Sequence, residues 1–321
     1  MKKVCLFLLA GLIAASSGKA ATLTENFTTN PLQDGWQIFG DTNLFQWDST
    51  DQNLDVTWDS SQCNSYFYHP LGTILAIDDN FSVEFDLQLS DANATGMLGY
   101  ELALGLLNFS DATNSTFSRP LAATPNLFEF DYFPDVGYGP SITATLSDTN
   151  VSATNTMDFY FAYDTLPLAI GVTYHVILTH VAGETNISGE VLTDGQIYTS
   201  LPNVFAGPIT DFRIDTVSVS SYSDAGDTHG DSIFAQGTVA NLAVTLPPPP
   251  IQNLAGAFSN GVWQTQFCSQ TNWLYILERT ADFQCWTNVS PATPGNGTNL
   301  FLQDANPPAD KAFYRVSASR P

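Results

Sequence analysis

From Phe81 to Leu89 the chain alternates without a break: Phe81, Val83, Phe85, Leu87 and Leu89 are apolar, and Ser82, Glu84, Asp86 and Gln88 between them are polar. A period of two puts the apolar side chains on one side of an extended backbone and the polar ones on the other, so the segment buries itself as one face of a sheet. Similar alternation returns at Leu98 to Leu106, Tyr174 to Leu178, Phe212 to Val219 and Thr238 to Leu246, with turn-rich stretches between. No helical stripe competes with it. The pattern predicts an all-β chain, and the many strands ahead of residue 247 suit one large antiparallel sandwich.

Four consecutive prolines, Pro247 to Pro250, cannot continue a hydrogen-bonded ladder and favour a stiff extended spacer. They divide a large domain, residues 22–246, from a small one, residues 251–321. Charge changes at the same place. The large domain sets Arg119 and Arg213 against 28 acidic residues, whereas the tail holds four acids and four bases. In the tail, Asn260-Gly261 between Ala257-Phe258 and Val262-Trp263 is a two-residue hairpin signal, because both central positions take positive φ. Trp273 to Leu277, Asn299 to Leu302 and Phe313 to Val316 supply further strands, predicting a small β-sandwich module.

The amino terminus reads as an address. Lys2 and Lys3 precede an apolar run from Val4 to Ala15, and small residues lead to a cleavage position just before Ala21 or Thr22. The run is shorter than the roughly 20 residues a bilayer needs, so residues 1–21 are expected to be a signal peptide and the protein to be secreted or held at the cell surface without a transmembrane anchor. Export would leave Cys63, Cys268 and Cys285, of which Cys268 and Cys285, close in sequence, are the expected disulfide and Cys63 a lone thiol. Nucleic acid is an unsuitable partner, since nine basic residues in 321 cannot form a phosphate-binding face.

Four segments carry a family resemblance: the opening strand around Phe27, the Phe81 to Leu89 strand, the acidic strand Phe128-Glu129-Phe130-Asp131-Tyr132, and the closing Gly237 to Val244. Together they resemble the concanavalin A-like lectin and glucanase superfamily, which implies a large jelly-roll β-sandwich. The tail resembles small C-terminal β modules of exported bacterial proteins. For the large domain the resemblance implies a polysaccharide or surface glycan as partner.

Glu129 and Asp131, two apart on a strand, share a face about 7 Å apart along the chain. Three readings of them stand. In family 16 glycoside hydrolases a Glu-x-Asp-x-Glu or Glu-x-Asp-x-x-Glu strand supplies nucleophile and acid. Glu129 would be the nucleophile, but Phe133 and Pro134 hold the two acid positions, leaving Asp135 or a neighbouring strand to donate the proton. In legume lectins a similar strand binds Mn²⁺ and Ca²⁺. Glu129, Asp131 and Asp135 would then be oxygen ligands favouring Ca²⁺, since the next histidine is His175. In the third reading both acids face water or pair with Arg213. Arg213, between Asp211 and Asp215, is a structural partner of carboxylates or a contact for an acidic sugar. Trp36, Trp47, Trp58, Tyr66 and Tyr68 are candidates to stack on a sugar; most aromatics of a sandwich belong to its core, and Tyr66 and Tyr68, which flank Phe67 and share the opposite face, are the better-exposed candidates. Three functions follow: a non-catalytic lectin-like protein for neutral glycans, a glycoside hydrolase using Glu129, and a structural or adhesive surface protein.

Overall fold

The computed structural model describes residues 21–95, 101–119, 124–134, 139–149, 159–201, 203–206, 209–226 and 230–321. Contacts group Ala21–Pro247 with Arg320–Pro321 in one compact unit and Pro248–Ser319 in a second. No helix among the described residues is long and apolar enough to cross a membrane.

The first unit is a sandwich of two eight-stranded antiparallel sheets. In chain order its strands are β1 (Ala21–Glu25), β2 (Gln37–Phe39), β3 (Phe45–Asp48), β4 (Asn53–Asp59), β5 (Ser65–Leu75), β6 (Phe81–Thr95), β7 (Leu102–Leu107) and β8 (Leu127–Phe133). Then come β9 (Ser141–Ser147), β10 (Phe159–Asp164), β11 (Thr173–His180), β12 (Ser188–Thr193), β13 (Gln196–Leu201), β14 (Asn203–Ala206), β15 (Ile214–Ser221) and β16 (Ser232–Leu246). One sheet runs β13-β12-β11-β6-β16-β4-β3 with β1 paired to β16, and the other runs β14-β10-β9-β8-β7-β15-β5-β2. Sheet neighbours far apart in sequence, such as β6 with β16 and β7 with β15, make this the jelly-roll arrangement the resemblance implies.

The alternation of β6 translates directly into packing. Phe81, Val83, Phe85, Leu87 and Leu89 are buried, and the polar residues between them are half-buried on the outer face. Phe81 packs edge-on to Phe128 with ring centroids 4.9 Å apart, and Phe85 edge-on to Phe130 at 5.8 Å, joining β6 to β8 of the facing sheet. Each such side chain contributes roughly 1.5–3 kcal/mol by leaving water.

The second sheet lacks this contrast. Every residue of β7 and β9 is buried, as is every residue of β8 except Phe133. Its far face is therefore covered too, and that face is polar: Glu129, Asp131, Thr143, Thr145, Ser218 and Ser220 are all at most 8% exposed. The same covering overturns the aromatic expectation. Tyr66 is fully buried, donating its hydroxyl to the Ala112 carbonyl at 2.9 Å and meeting Tyr222 edge-on at 6.1 Å, so it has no face for a ligand. Tyr68 is half-buried, with its ring stacked on Phe109 at 4.1 Å and its hydroxyl on Gln37 Oε1 at 3.0 Å.

The second unit contains β17 (Ile251–Ser259), β18 (Val262–Ser269), β19 (Leu274–Thr280), β20 (Thr287–Asn288), β21 (Thr293–Pro294), β22 (Asn299–Asp304) and β23 (Phe313–Ser319). They form a three-stranded sheet, β17-β18-β22, and a four-stranded one in which β19 pairs β20, β21 and β23. Phe267, Trp273, Tyr275, Leu277 and Leu302 make its core. The Asn260-Gly261 turn takes the positive φ values its sequence demands, 53° and 78°. The expected disulfide is absent: Cys268 and Cys285 are free thiols. Cys268 lies on β18, its thiol directed to Asn299 Oδ1 at 3.2 Å on β22, whereas Cys285 is exposed in the loop after β19, in the other sheet. Nearness in sequence did not bring the two together because the chain changes sheet between β18 and β19.

Candidate functional site

The polar face of the second sheet is organised around β8. Its register places Gly105 of β7 opposite Glu129 and Ala103 opposite Asp131, and on the other side Thr145 and Thr143 of β9 oppose the same two acids. Small residues on β7 put no bulk beside the carboxyls, and one long side chain comes to them there. Arg119 Nη2 donates to Glu129 Oε1 at 2.6 Å and to Asp131 Oδ1 at 3.3 Å. The remaining oxygens are also used: Thr145 Oγ1 donates to Asp131 Oδ2 at 2.6 Å, and the Tyr222 hydroxyl donates to Glu129 Oε2 at 2.7 Å. The guanidinium also sits 5.7 Å from the centre of the Tyr222 ring, a cation–π distance.

A third carboxyl completes the cluster. Glu101 is fully buried immediately before β7, and continuing the register of Leu102 opposite Tyr132 sets it across from Phe133, on the face of Glu129 and Asp131. Arg119 Nε lies 3.2 Å from Glu101 Oε1 without the geometry of a hydrogen bond. Both Glu101 oxygens and Arg119 Nε are thus buried with no hydrogen-bond partner. Such a group costs roughly 1–3 kcal/mol when left unsatisfied, so the Glu101–Arg119 edge is where the network is incomplete.

Three carboxyls around one guanidinium leave an excess of negative charge out of water. Burial raises the pKa of Glu101 above the ordinary carboxyl range, opposed by Arg119 and assisted by Glu129. Burial likewise raises Asp131 well above that range, with Glu129 adding to the shift and Arg119 opposing it. Tyr222 is raised by burial and by Glu129, and Arg119 is raised because the three acids outweigh its own desolvation. Raised acids favour the folded state fully only below their unfolded pKa near 4, and that contribution is lost as pH rises through the folded values. Unfolding free energy should therefore fall as pH climbs above about 4 through that window. Glu101→Gln, which cannot ionise, should flatten the fall. Urea midpoints measured between pH 4 and 9 check this, and an unchanged slope in the variant would remove Glu101 from the account.

The arrangement settles several sequence expectations. Glu129 and Asp131 neither face water nor pair with Arg213, because Arg119 takes them. Nor are they poised as metal ligands: their four oxygens are occupied by Arg119, Thr145 and Tyr222, and the guanidinium stands where a cation would. No group of three or more His, Cys, Asp or Glu among the described residues is placed to hold an ion. Asp135 lies outside the described residues. Arg213 binds Asp211 and donates to the Phe212 carbonyl at 2.9 Å and to the Pro321 carbonyl at 3.2 Å, so its fork is engaged away from this cluster. Glu84 and Asp86, two apart on β6, are on the other sheet, where His175 Nδ1 lies 2.7 Å from Asp86 Oδ1 and Asn241 donates to Asp86 Oδ2 at 2.7 Å.

Glu101, Arg119, Thr145 and Tyr222 were not singled out from sequence. Arg119 carried the one available signal, as one of only two cations in a domain with 28 acids.

No family profile matches the chain, and no curated protein matches it. Solved structures do resemble it. They include a carbohydrate esterase from Shiga toxin-encoding bacteriophage phi24B (13% identity over 71% of this chain and 99% of that one, TM-score 0.43). A legume lectin-like domain from Entamoeba histolytica is 8% identical over 68% of this chain and 94% of its own, TM-score 0.40. The Emp46p carbohydrate recognition domain is 14% identical over 68% and 94%, TM-score 0.39. Likeness at this level says nothing of what the chain itself binds.

Proposed function

We propose that the large unit is the carbohydrate-binding domain of an exported protein and takes a neutral glycan, the polar face of its second sheet serving as the site once the cover that buries it is displaced. One observation carries the proposal: this face replaces the apolar packing of the sandwich interior with hydroxyls of Thr143, Thr145, Ser218 and Ser220 around Glu129, Asp131, Arg119 and Tyr222. A lattice of fixed donors and acceptors is what a polyhydroxyl ligand needs. Two arginines against 28 acids disfavour a polyanionic glycan. A glycan array run in millimolar Ca²⁺ and in EDTA should show binding to neutral glycans in both, since Arg119, Thr145 and Tyr222 already occupy the oxygens of Glu129 and Asp131. Loss in EDTA would assign a Ca²⁺ role outside this cluster, and silence under both conditions would overturn the proposal.

Glu101 favours a second reading, glycoside hydrolysis. The acid that Phe133 and Pro134 cannot supply is offered from the neighbouring strand, opposite Phe133, and burial raises the pKa of that carboxyl, the direction a proton donor needs. Glu129 would attack the anomeric carbon while Glu101 protonated the departing oxygen, and water would then release the sugar from the glycosyl ester and return the proton to Glu101. Release of reducing ends that vanishes in both Glu129→Gln and Glu101→Gln would support it. Turnover surviving either change would exclude it.

A further inference from the structure

His180 ends β11 opposite Phe81 of β6 and is wholly buried. Two loops meet at this end of the sheet, residues 76–80 between β5 and β6 and residues 181–187 between β11 and β12. Two amides of the second loop reach the first: Gly183 N donates to the Ile77 carbonyl at 2.7 Å, and Ala182 N to Asn80 Oδ1 at 3.0 Å. From the core side the imidazole spans the same two loops. Its Nδ1 lies 2.8 Å from the Asp79 carbonyl oxygen, and its Nε2 lies 3.0 Å from that of Glu184. A carbonyl oxygen can only accept, so each contact is a hydrogen bond only while that ring nitrogen carries a proton. A neutral imidazole has one N–H and one lone pair, and either tautomer would set the lone pair against a carbonyl with no water to part them.

We infer that His180 is held as the imidazolium, a buried cation that fastens the 76–80 loop to the 181–187 loop and releases them when it gives up a proton. The surroundings suit a cation. Phe81 stacks on the ring with centroids 4.9 Å apart and planes 20° from parallel, presenting its π face, while Phe212 and Phe128 close the sides edge-on at 5.1 Å and 6.5 Å. Two charge-assisted bonds to fixed carbonyls stand in for hydration. The charged side chains on the elements around it are engaged elsewhere or turned outward. Asp79 accepts from Ala76 N and pairs with Arg320, Asp211 pairs with Arg213, and Asp78 and Glu184 are exposed. Glu129, next to Phe128 on β8, lies on the far face of that sheet with Arg119. Backbone dipoles therefore hold the charge, and the state of the ring decides whether both loops are gripped. The grip is complete while both nitrogens are protonated and is lost as rising pH removes one proton to water, leaving one carbonyl without its donor.

Nitrogen-15 NMR of the histidine side chains in the whole chain tests the inference directly. At about pH 7 both ring nitrogens of His180 should read as protonated. One protonated and one bare nitrogen would overturn it. Hydrogen exchange reads the consequence for the loops. Between about pH 6 and pH 9 the protection of the Gly183 amide, corrected for its intrinsic rate, should fall about tenfold more than that of Val176, which lies within the pairing of β11 with β6 and reports opening of the sheet itself. His180→Phe keeps the ring stack and removes both donors, so it should leave Gly183 poorly protected at every pH. A Gly183 amide that tracks Val176 across the pH range in the wild type, or that stays fully protected in His180→Phe, would also overturn the inference.

Discussion

Arg119→Ala should lower the unfolding free energy of the large unit by about 3–5 kcal/mol near neutral pH, the cost of stripping the only cation from buried carboxylates. Arg119 is 8% exposed, and the acids it serves are at most 2% exposed, so water cannot take its place without opening the fold. At roughly 2–4 °C per kcal/mol for a unit of this size, the melting temperature should drop by about 10 °C or more. The loss should shrink as pH falls, because protonated carboxyls no longer need the guanidinium. Arg119→Lys should recover part of it, since an ammonium keeps the charge but not the fork that reaches Glu129 and Asp131 together. Urea denaturation at pH 5 and pH 8 reads both effects. A loss below about 1 kcal/mol at pH 8 would mean the acids are already neutral and Arg119 is expendable.

What could be read in advance, and what could not, follows from the range of the signals. Alternation in Phe81 to Leu89 is local, and it specified a strand, its buried face and the burial of five side chains. The common face of Glu129 and Asp131 is equally local. Their partner was not, because Arg119 lies in the loop before β8 and reaches the acids only once that loop has folded against the sheet, and Glu101 meets them only through the pairing of β7 with β8. Strand register between distant segments leaves no mark in either segment alone. Tyr66 and Tyr68 failed for a related reason. Opposite faces of a strand do differ, as alternation implies, but Tyr66 lies where the face away from Phe67 is covered, and Tyr68, half-buried further along β5, spends its ring on Phe109. The apolar run Leu102–Leu107 was the warning, since a strand buried on both sides loses its alternation.

Gly105→Ala should be the second severe change, destabilising the large unit by about 3 kcal/mol or more. An added Cβ would stand 2.4 Å from the Phe128 carbonyl oxygen, 2.5 Å from Glu129 Cα and 2.8 Å from Glu129 Cβ. No rotamer change moves those atoms, so β7 and β8 must separate where Glu129 is held. The proper comparison is Gly183→Ala. Gly183 has a φ of +83° and nothing within 4 Å of an added Cβ, so its cost of about 1 kcal/mol is backbone strain alone. If Gly105→Ala cost no more than Gly183→Ala, the close approach of β7 to β8 would not be what positions Glu129. The two large effects should also fail to add. Displacing Glu129 already loosens the bond to Arg119 Nη2, so the double variant should lose less than the sum of the single losses, by about 0.5–3 kcal/mol. Strict additivity in that cycle would show that the strand contact and the charge cluster stabilise the sheet independently, and that the small residues of β7 serve packing rather than the site.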